Sequence, residues 1–243
     1  MERGDYSGRL LTLAMSDVPA VSLVCCDLAS IVIDESVVER AFAEAIATQG
    51  IVAGTGAYVR SMVRFDRARG RPPAEVLADL FDPDESRAQA ASVAFDRSFR
   101  AAAERFGVTV PADVAAALGK ISGSGARICL LSGLSSNAST EVHGRLRQLG
   151  LAELVLHADD APRCFPWPDL VLTAMHRLGT TDVTEVAMVS ATESGVLAGQ
   201  RAGARIIVGI GDGPRRLAAL RSAGATHVLD NVTALPDLII GAA

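Results

Sequence analysis

The chain has 243 residues, 49% of them hydrophobic, and a formal net charge of −5. That is enough apolar material for one large domain or one domain with an insertion, and the acidic balance argues against nucleic acid as the main partner. No apolar run approaches the roughly 18 residues of a spanning helix, so no membrane is expected.

The start, Met1 to Leu10, lacks the basic-then-apolar layout of a signal peptide, and Met1 to about Pro19 reads as a loosely held arm. Four cysteines, two of them adjacent at Cys25 and Cys26, show neither zinc spacing nor a disulfide framework, which suits a reducing cytoplasm. Val21, Leu23, Val24, Cys25 and Cys26 then form the apolar run of a strand buried on both faces, and it stops at the carboxylate of Asp27. A carboxylate at the carboxyl end of such a strand stands at the edge where open parallel sheets bind ligands. The plainer reading is that Asp27 caps the turn that follows.

Helical spacing predicts helices over Ser36 to Gln49, Tyr58 to Asp66, Pro73 to Phe81 and Asp84 to Phe106. Gly54-Thr55-Gly56, Gly70-Arg71-Pro72 and Asp82-Pro83 separate them, and no strand signal interrupts the block. From Pro111 the pattern alternates, with strands at Arg127 to Leu131, Leu154 to His157, Val186 to Val189, Ile206 to Ile210 and His227 to Leu229. Helices over Pro111 to Ile121, Asn137 to Leu149, Pro168 to Leu178, Glu193 to Ala202 and Pro214 to Ala223 lie between them, and a last helix closes the chain. The expected fold class is therefore α/β, a doubly wound Rossmann-like parallel sheet. The expected core is 20–35 with 109–243, and residues 36–108 form an all-helical insertion after the first strand.

Four stretches carry a family resemblance. Asp27-Leu28-Ala29-Ser30-Ile31-Val32-Ile33-Asp34 resembles the first motif of the haloacid dehalogenase superfamily, in its phosphonatase-like branch. That branch reads Asp-x-Ala-Gly-Thr-x-x-Asp, with alanine where the phosphatases carry a second, acid/base aspartate. Ser30 and Ile31 replace its Gly-Thr. The resemblance implies that the inserted helices are a cap closing over the strand ends, and that Asp27 corresponds to the nucleophile. The second motif is a hydroxyl at the end of the next strand. Ser132 fits it, and Gly133 follows at a junction whose free N–H groups suit an anion. The third motif supplies a cation, Gly-Arg-Pro-x-Pro in this branch, but Cys164-Phe165-Pro166-Trp167-Pro168 puts Phe165 in the arginine's place. Arg163, two residues earlier, reads either as a substitute or as a solvated loop charge. The fourth motif, Gly-Asp-Thr-x-x-Asp, holds Mg²⁺. Here Ser190-Ala191-Thr192-Glu193-Ser194-Gly195 keeps Thr192 and loses both aspartates, while Ala198-Gly199 and Ala202-Gly203 keep the helix that follows.

Phosphonoacetaldehyde hydrolase, for which the branch is named, uses a cap lysine. The single lysine of this chain, Lys120, lies outside the expected cap, so Schiff-base chemistry is not expected. Loss of one preorganised stabiliser of a transition-state charge costs about 3 kcal/mol, and loss of metal and cation together costs on the order of 10⁴ in rate. Ordinary phosphatase or phosphonatase turnover is therefore ranked last. The first reading is a repurposed, metal-independent enzyme acting on a small metabolite, with Asp27 and Ser132 catalytic and Asp27 a general acid or base of raised pKa. Ala29, Ser30, Gly133, Arg163, Phe165 and Thr192 would bind substrate, with no metal or other cofactor. The second is a non-catalytic descendant that binds a metabolite or a protein partner. Glu193, two residues past the first lost ligand, reads either as a replacement that swings in or, in preference, as an exposed acid in a first helical turn; His157 is a weak candidate at the same sheet edge, and either a monomer or a homodimer is compatible with the sequence.

Overall fold

A computed structural model describes residues 20–28, 35–107 and 109–241. The arm read over Met1 to Pro19, the motif positions Ala29, Ser30 and Asp34, and Val108 lie outside the described residues.

The first strand, β1 (Leu23–Asp27), is buried at all five positions because it is central. It is flanked by β2 (Arg127–Leu131) and β4 (Val186–Ser190) in a six-stranded sheet of order β3-β2-β1-β4-β5-β6. β3 (Leu154–Leu156), β5 (Ile206–Ile210) and β6 (His227–Leu229) complete the sheet, and every pairing is parallel. Strand order runs outward from β1 in opposite directions through β2 and through β4, so the crevice above β1 is the topological switch point of the sheet. Register places Asp27 opposite Leu131 and Cys26 opposite Val189. Asp27, Ser132 and Ser190 therefore leave three adjacent strands at one edge.

Alternation along the strands feeds two apolar layers. Val24, Cys26, Ile128, Leu130, Ala187 and Val189 face one, and Leu23, Cys25, Cys129, Leu131, Val186 and Met188 the other. Helices α5 (Ala112–Gly123) and α10 (Leu235–Gly241) cover the first layer; α7 (Asp169–Leu178) and α8 (Glu193–Ala202) cover the second. α6 (Thr140–Leu149) and α9 (Gly213–Ser222) complete the core. Between β1 and β2 stand α1 (Glu35–Ala47), α2 (Gly56–Arg67), α3 (Pro73–Phe81) and α4 (Glu85–Phe106), which form the cap. α1 and α3 pack on the long α4, and Phe42 stacks on Phe65 with ring centroids 4.1 Å apart.

The helix expected from Asn137 begins at Thr140. The preceding serines hold a turn instead: Ser139 Oγ donates to Ser135 O at 2.7 Å and Ala138 N donates to Ser135 Oγ at 3.0 Å. Among the described residues no helix is long and apolar enough to cross a membrane.

Candidate functional site

Asp27 is 3% exposed at the floor of a cavity of about 90 Å³ between the sheet edge and the cap. Its carboxylate is met by hydroxyls from the β4–α8 junction. Ser190 Oγ donates to Asp27 Oδ2 at 2.8 Å and accepts from Thr192 N at 3.0 Å. Thr192 Oγ1 lies 3.1 Å from Ser190 Oγ and 3.5 Å from Asp27 Oδ2, and as the N-cap of α8 it accepts from Gly195 N at 3.1 Å. Such a chain orients a buried carboxylate and offsets part of its desolvation.

Ser132 and Gly133 line the same cavity. Ser132 Oγ accepts from Leu134 N at 3.1 Å, which fixes the turn at the end of β2. Phe165 is fully buried behind Gly133, within 4.0 Å of where a Cβ on that glycine would stand, and belongs to the apolar layer with Leu131 and Cys164. Its place in the motif is thus structural filling beneath the floor rather than the cavity wall. Arg163 is turned away as well: its guanidinium grips Asp169 through two bonds of 3.1 and 3.0 Å and lies 4.5 Å over the Trp167 ring. An acid six residues along the chain and an aromatic face satisfy the cation locally, so it is not brought to Asp27. Ala29 and Ser30, the other expected binding residues, lie outside the described residues.

Glu193 occupies the exposed first turn of α8 and lines a groove outside the cavity. His157 is buried at the end of β3, bonded to Ser139 and to His143, in a side groove of its own. No cysteine supplies a nucleophile. Burial, aided by the neighbouring charge of Asp27, pushes the Cys26 thiol up to about 12, and burial likewise pushes Cys164 up to about 12.

The cap contributes residues that the motif reading passed over. Arg69, Gly70 and Arg71 line the cavity on its cap side. Gly70 has φ +83°, and a Cβ there would stand 2.3 Å from Thr192 Oγ1, so the cap backbone touches the α8 N-cap directly. Ser194 Oγ donates to Arg69 O at 2.9 Å, and a Cβ on Gly133 would lie 3.3 Å from Gly70 O. Both guanidiniums are engaged by cap acids. Arg69 pairs with Glu35, Glu39 and Asp66, and Arg71 pairs with Glu75 and Asp79. From the core, Arg216 Nη2 reaches both Glu35 Oε1 and Ala191 O at 2.8 Å. In sequence these arginines sit in a turn and a helix start, and the one visible signal was a glycine flanked by two cations.

The resemblance implies a magnesium ion against Asp27, and among the described residues the side chains of the β4–α8 junction do not fit one. Ala191 and Gly195 bear no oxygen ligand, and a Cβ at Gly195 would stand 2.2 Å from Ser190 Oγ, so the serine hydroxyl fills the space a ligand there would need. Among the described residues no three His, Cys, Asp or Glu gather in a metal-holding group.

A parallel sheet with this strand order, a helical cap inserted after β1 and a carboxylate at the switch point define the fold of the haloacid dehalogenase-like hydrolases. Solved structures agree. A phosphonoacetaldehyde hydrolase-like protein from Oleispira antarctica superposes with a TM-score of 0.74 at 17% identity, covering 93% of each chain. A hydrolase from Pseudomonas syringae gives 0.73 at 19% identity, covering 89% of this chain and 97% of the other. A HAD-family hydrolase from Deinococcus radiodurans, solved with phosphate and sodium, gives 0.60 at 23% identity, covering 93% and 97%. At these identities the likeness establishes the fold. No family model and no curated protein matches the sequence.

Proposed function

We propose that the Asp27 cavity is the active site of a hydrolase-fold enzyme that has exchanged metal-assisted phosphoryl chemistry for proton transfer on a small metabolite. The observation that carries this reading is the Ser190 hydroxyl. It takes the space beside Gly195 and donates to Asp27, so a hydrogen-bond donor meets the carboxylate where the related motif would supply metal ligands. Asp27 would act as general acid or base toward a ligand lying against Ser132 and Gly133, with Thr192 and Ser190 fixing the carboxylate. A cavity of about 90 Å³ suits a small ligand. The walls contributed by Phe65, Val38 and Leu134 favour one with an apolar part.

The test is a screen of small metabolites for turnover with and without chelator. The reading expects turnover that EDTA leaves unchanged and that Asp27→Asn abolishes while ligand binding persists. Calorimetric Mg²⁺ binding together with phosphoester hydrolysis would return the chain to the metal-dependent hydrolases.

A second reading, a non-catalytic ligand binder, draws on the neutralisation of Arg69 and Arg71 by cap acids, which leaves these cations committed to structure. It is favoured if a ligand binds and Asp27→Asn alters its affinity, yet no product forms under any condition.

A further inference from the structure

Outside the Asp27 cavity, a groove of about 720 Å³ runs between the end of α2 in the cap and the first turns of α8 and α9 in the core. Four arginines line it, Arg67 and Arg69 from the cap side and Arg215 and Arg216 from α9, against two acids, Asp66 and Glu193. Arg69 and Arg216 are already engaged, the first by Asp66, Glu35 and Glu39, the second by Glu35 and the Ala191 carbonyl. Arg67 and Arg215 are not: among the described residues neither side chain makes an ion pair or a hydrogen bond, and both are exposed. Arg215 also stands in the first turn of α9, which contains no acid, so its charge adds to the positive end of the helix instead of offsetting it. In a chain of net charge −5, two uncommitted guanidiniums from separate parts of the fold in one groove call for an anion.

We propose that this groove binds a phosphate-bearing small molecule, its phosphate held between Arg67 of the cap and Arg215 of the core. The guanidinium fork matches two phosphate oxygens at once, and a phosphate has enough oxygens to accept from both arginines and keep another for solvent or for its organic group. Arg69 and Thr192 form a wall shared with the Asp27 cavity, so an anion here ties cap to core directly beside it. Glu193 is the opposing charge and sets an upper limit on affinity.

Calorimetric titration of the full chain with inorganic phosphate, and with glycerol phosphate, at constant ionic strength tests the site. Saturable binding is expected, weakened roughly tenfold by Arg67→Gln or by Arg215→Gln, lost in the double variant and strengthened by Glu193→Gln. Asp27→Asn should leave the affinity unchanged. Neither arginine has a folded-state partner to lose, so the variants should melt with the native protein. Tighter binding of glycerol phosphate assigns the site to an organic phosphate, and equal binding assigns it to the free ion. The proposal is overturned if neither probe saturates, or if binding survives both arginine substitutions. An affinity that responds to Asp27→Asn alone would place the anion in the catalytic cavity, and would equally overturn it.

Discussion

Ser190 and Gly195 are complementary: the serine Oγ stands 2.2 Å from where a Cβ on the glycine would be. A side chain at 195 and the hydroxyl at 190 therefore exclude each other. Gly195→Asp alone should overpack the β4–α8 junction at a cost of about 1–3 kcal/mol, with a drop in melting temperature of a few degrees and no gain of Mg²⁺ binding. Adding Ser190→Gly and Ala191→Asp removes the obstruction and supplies the second carboxylate. The triple variant should then bind Mg²⁺ by calorimetry where Gly195→Asp alone does not. If Gly195→Asp by itself binds Mg²⁺ with no loss of stability, the exclusion is not real.

Ser190 can also be removed without adding bulk. Ser190→Ala removes one charge-assisted hydrogen bond from a carboxylate that is 3% exposed, which costs about 1–3 kcal/mol at neutral pH. Ser190→Thr keeps the hydroxyl but adds a methyl beside Gly195, so it should rescue the hydrogen bond only in part. Denaturant melts of the two variants against the native protein read the difference.

Gly70 predicts a cap phenotype. Its φ of +83° is strained for any L side chain, and its Cβ would collide with Thr192 at 2.3 Å. Gly70→Ala should lift the 69–71 loop from the α8 N-cap and break the bond from Ser194 Oγ to Arg69 O. Hydrogen exchange should then rise at the amides around 68–72 and around Thr192, while the centre of α4 stays protected. Unchanged exchange at both places would mean that the loop does not bear on Thr192.

Strand and helix alternation from Arg127 onward was legible because the inner strands β2, β4 and β5 are short apolar runs buried at nearly every position, with helical spacing between them. The start of α6 was not. Ser135 and Ser139 compete for backbone partners there, and capping serines look alike in either state. Asp27 was legible from an apolar run that ends on a carboxylate. What holds it was not, since Ser190 lies 163 residues away and its hydroxyl counts as one more strand residue until β1 and β4 are in register. Gly70, Arg71 and Pro72 read as a separator between helices for the same reason, and Arg69 was passed over. Their meaning depends on where the cap docks, and periodicity within the cap carries no information about Thr192.

The pair His143 and His157 predicts a pH dependence of stability. Ser139 Oγ donates its proton to Ser135 O, so it must accept from His157 Nδ1 at 2.8 Å, and His157 Nε2 in turn accepts from His143 Nδ1 at 3.2 Å. The chain is complete with both rings neutral. Burial, then the neighbouring His143, lowers the pKa of His157, and burial, then Arg147, lowers that of His143; Asp160 opposes both shifts and Asp159 opposes that of His157. Arg177 lines the same groove and is paired with Asp160. A lowered folded pKa means that the unfolded chain binds protons first as pH falls below the ordinary value of 6.5. Stability should thus be full above that value, decline below it, and level off beneath the folded pKa values. Denaturant titrations across this range should show the decline in the native protein and a flatter profile in His143→Gln/His157→Gln, whatever that variant's overall stability. An identical slope in both would place the dependence elsewhere.

Glu35 opens α1 and is held from two sides, by Arg69 of the cap and by Arg216 of the core. Burial pushes its carboxyl up, but hydrogen bonds and charge from Arg216 and Arg69 together outweigh burial and hold it below the ordinary 4.5. Because its folded pKa is depressed, the stabilisation is present above 4.5 and is lost as pH falls through the folded value. The side chains are 29–40% exposed, so solvent screening keeps the effect small. Glu35→Gln should lower stability by about 1 kcal/mol or less at neutral pH. Two conditions separate a charge effect from lost packing: the deficit should shrink in 0.5 M salt, taken as roughly half the Debye length of physiological buffer, and it should vanish below the folded pKa, where native Glu35 is itself protonated. A deficit that persists unchanged in both would show that Glu35 acts through its shape and not through its charge, and the link it makes between Arg69 and Arg216 would then contribute nothing electrostatic to holding cap and core together.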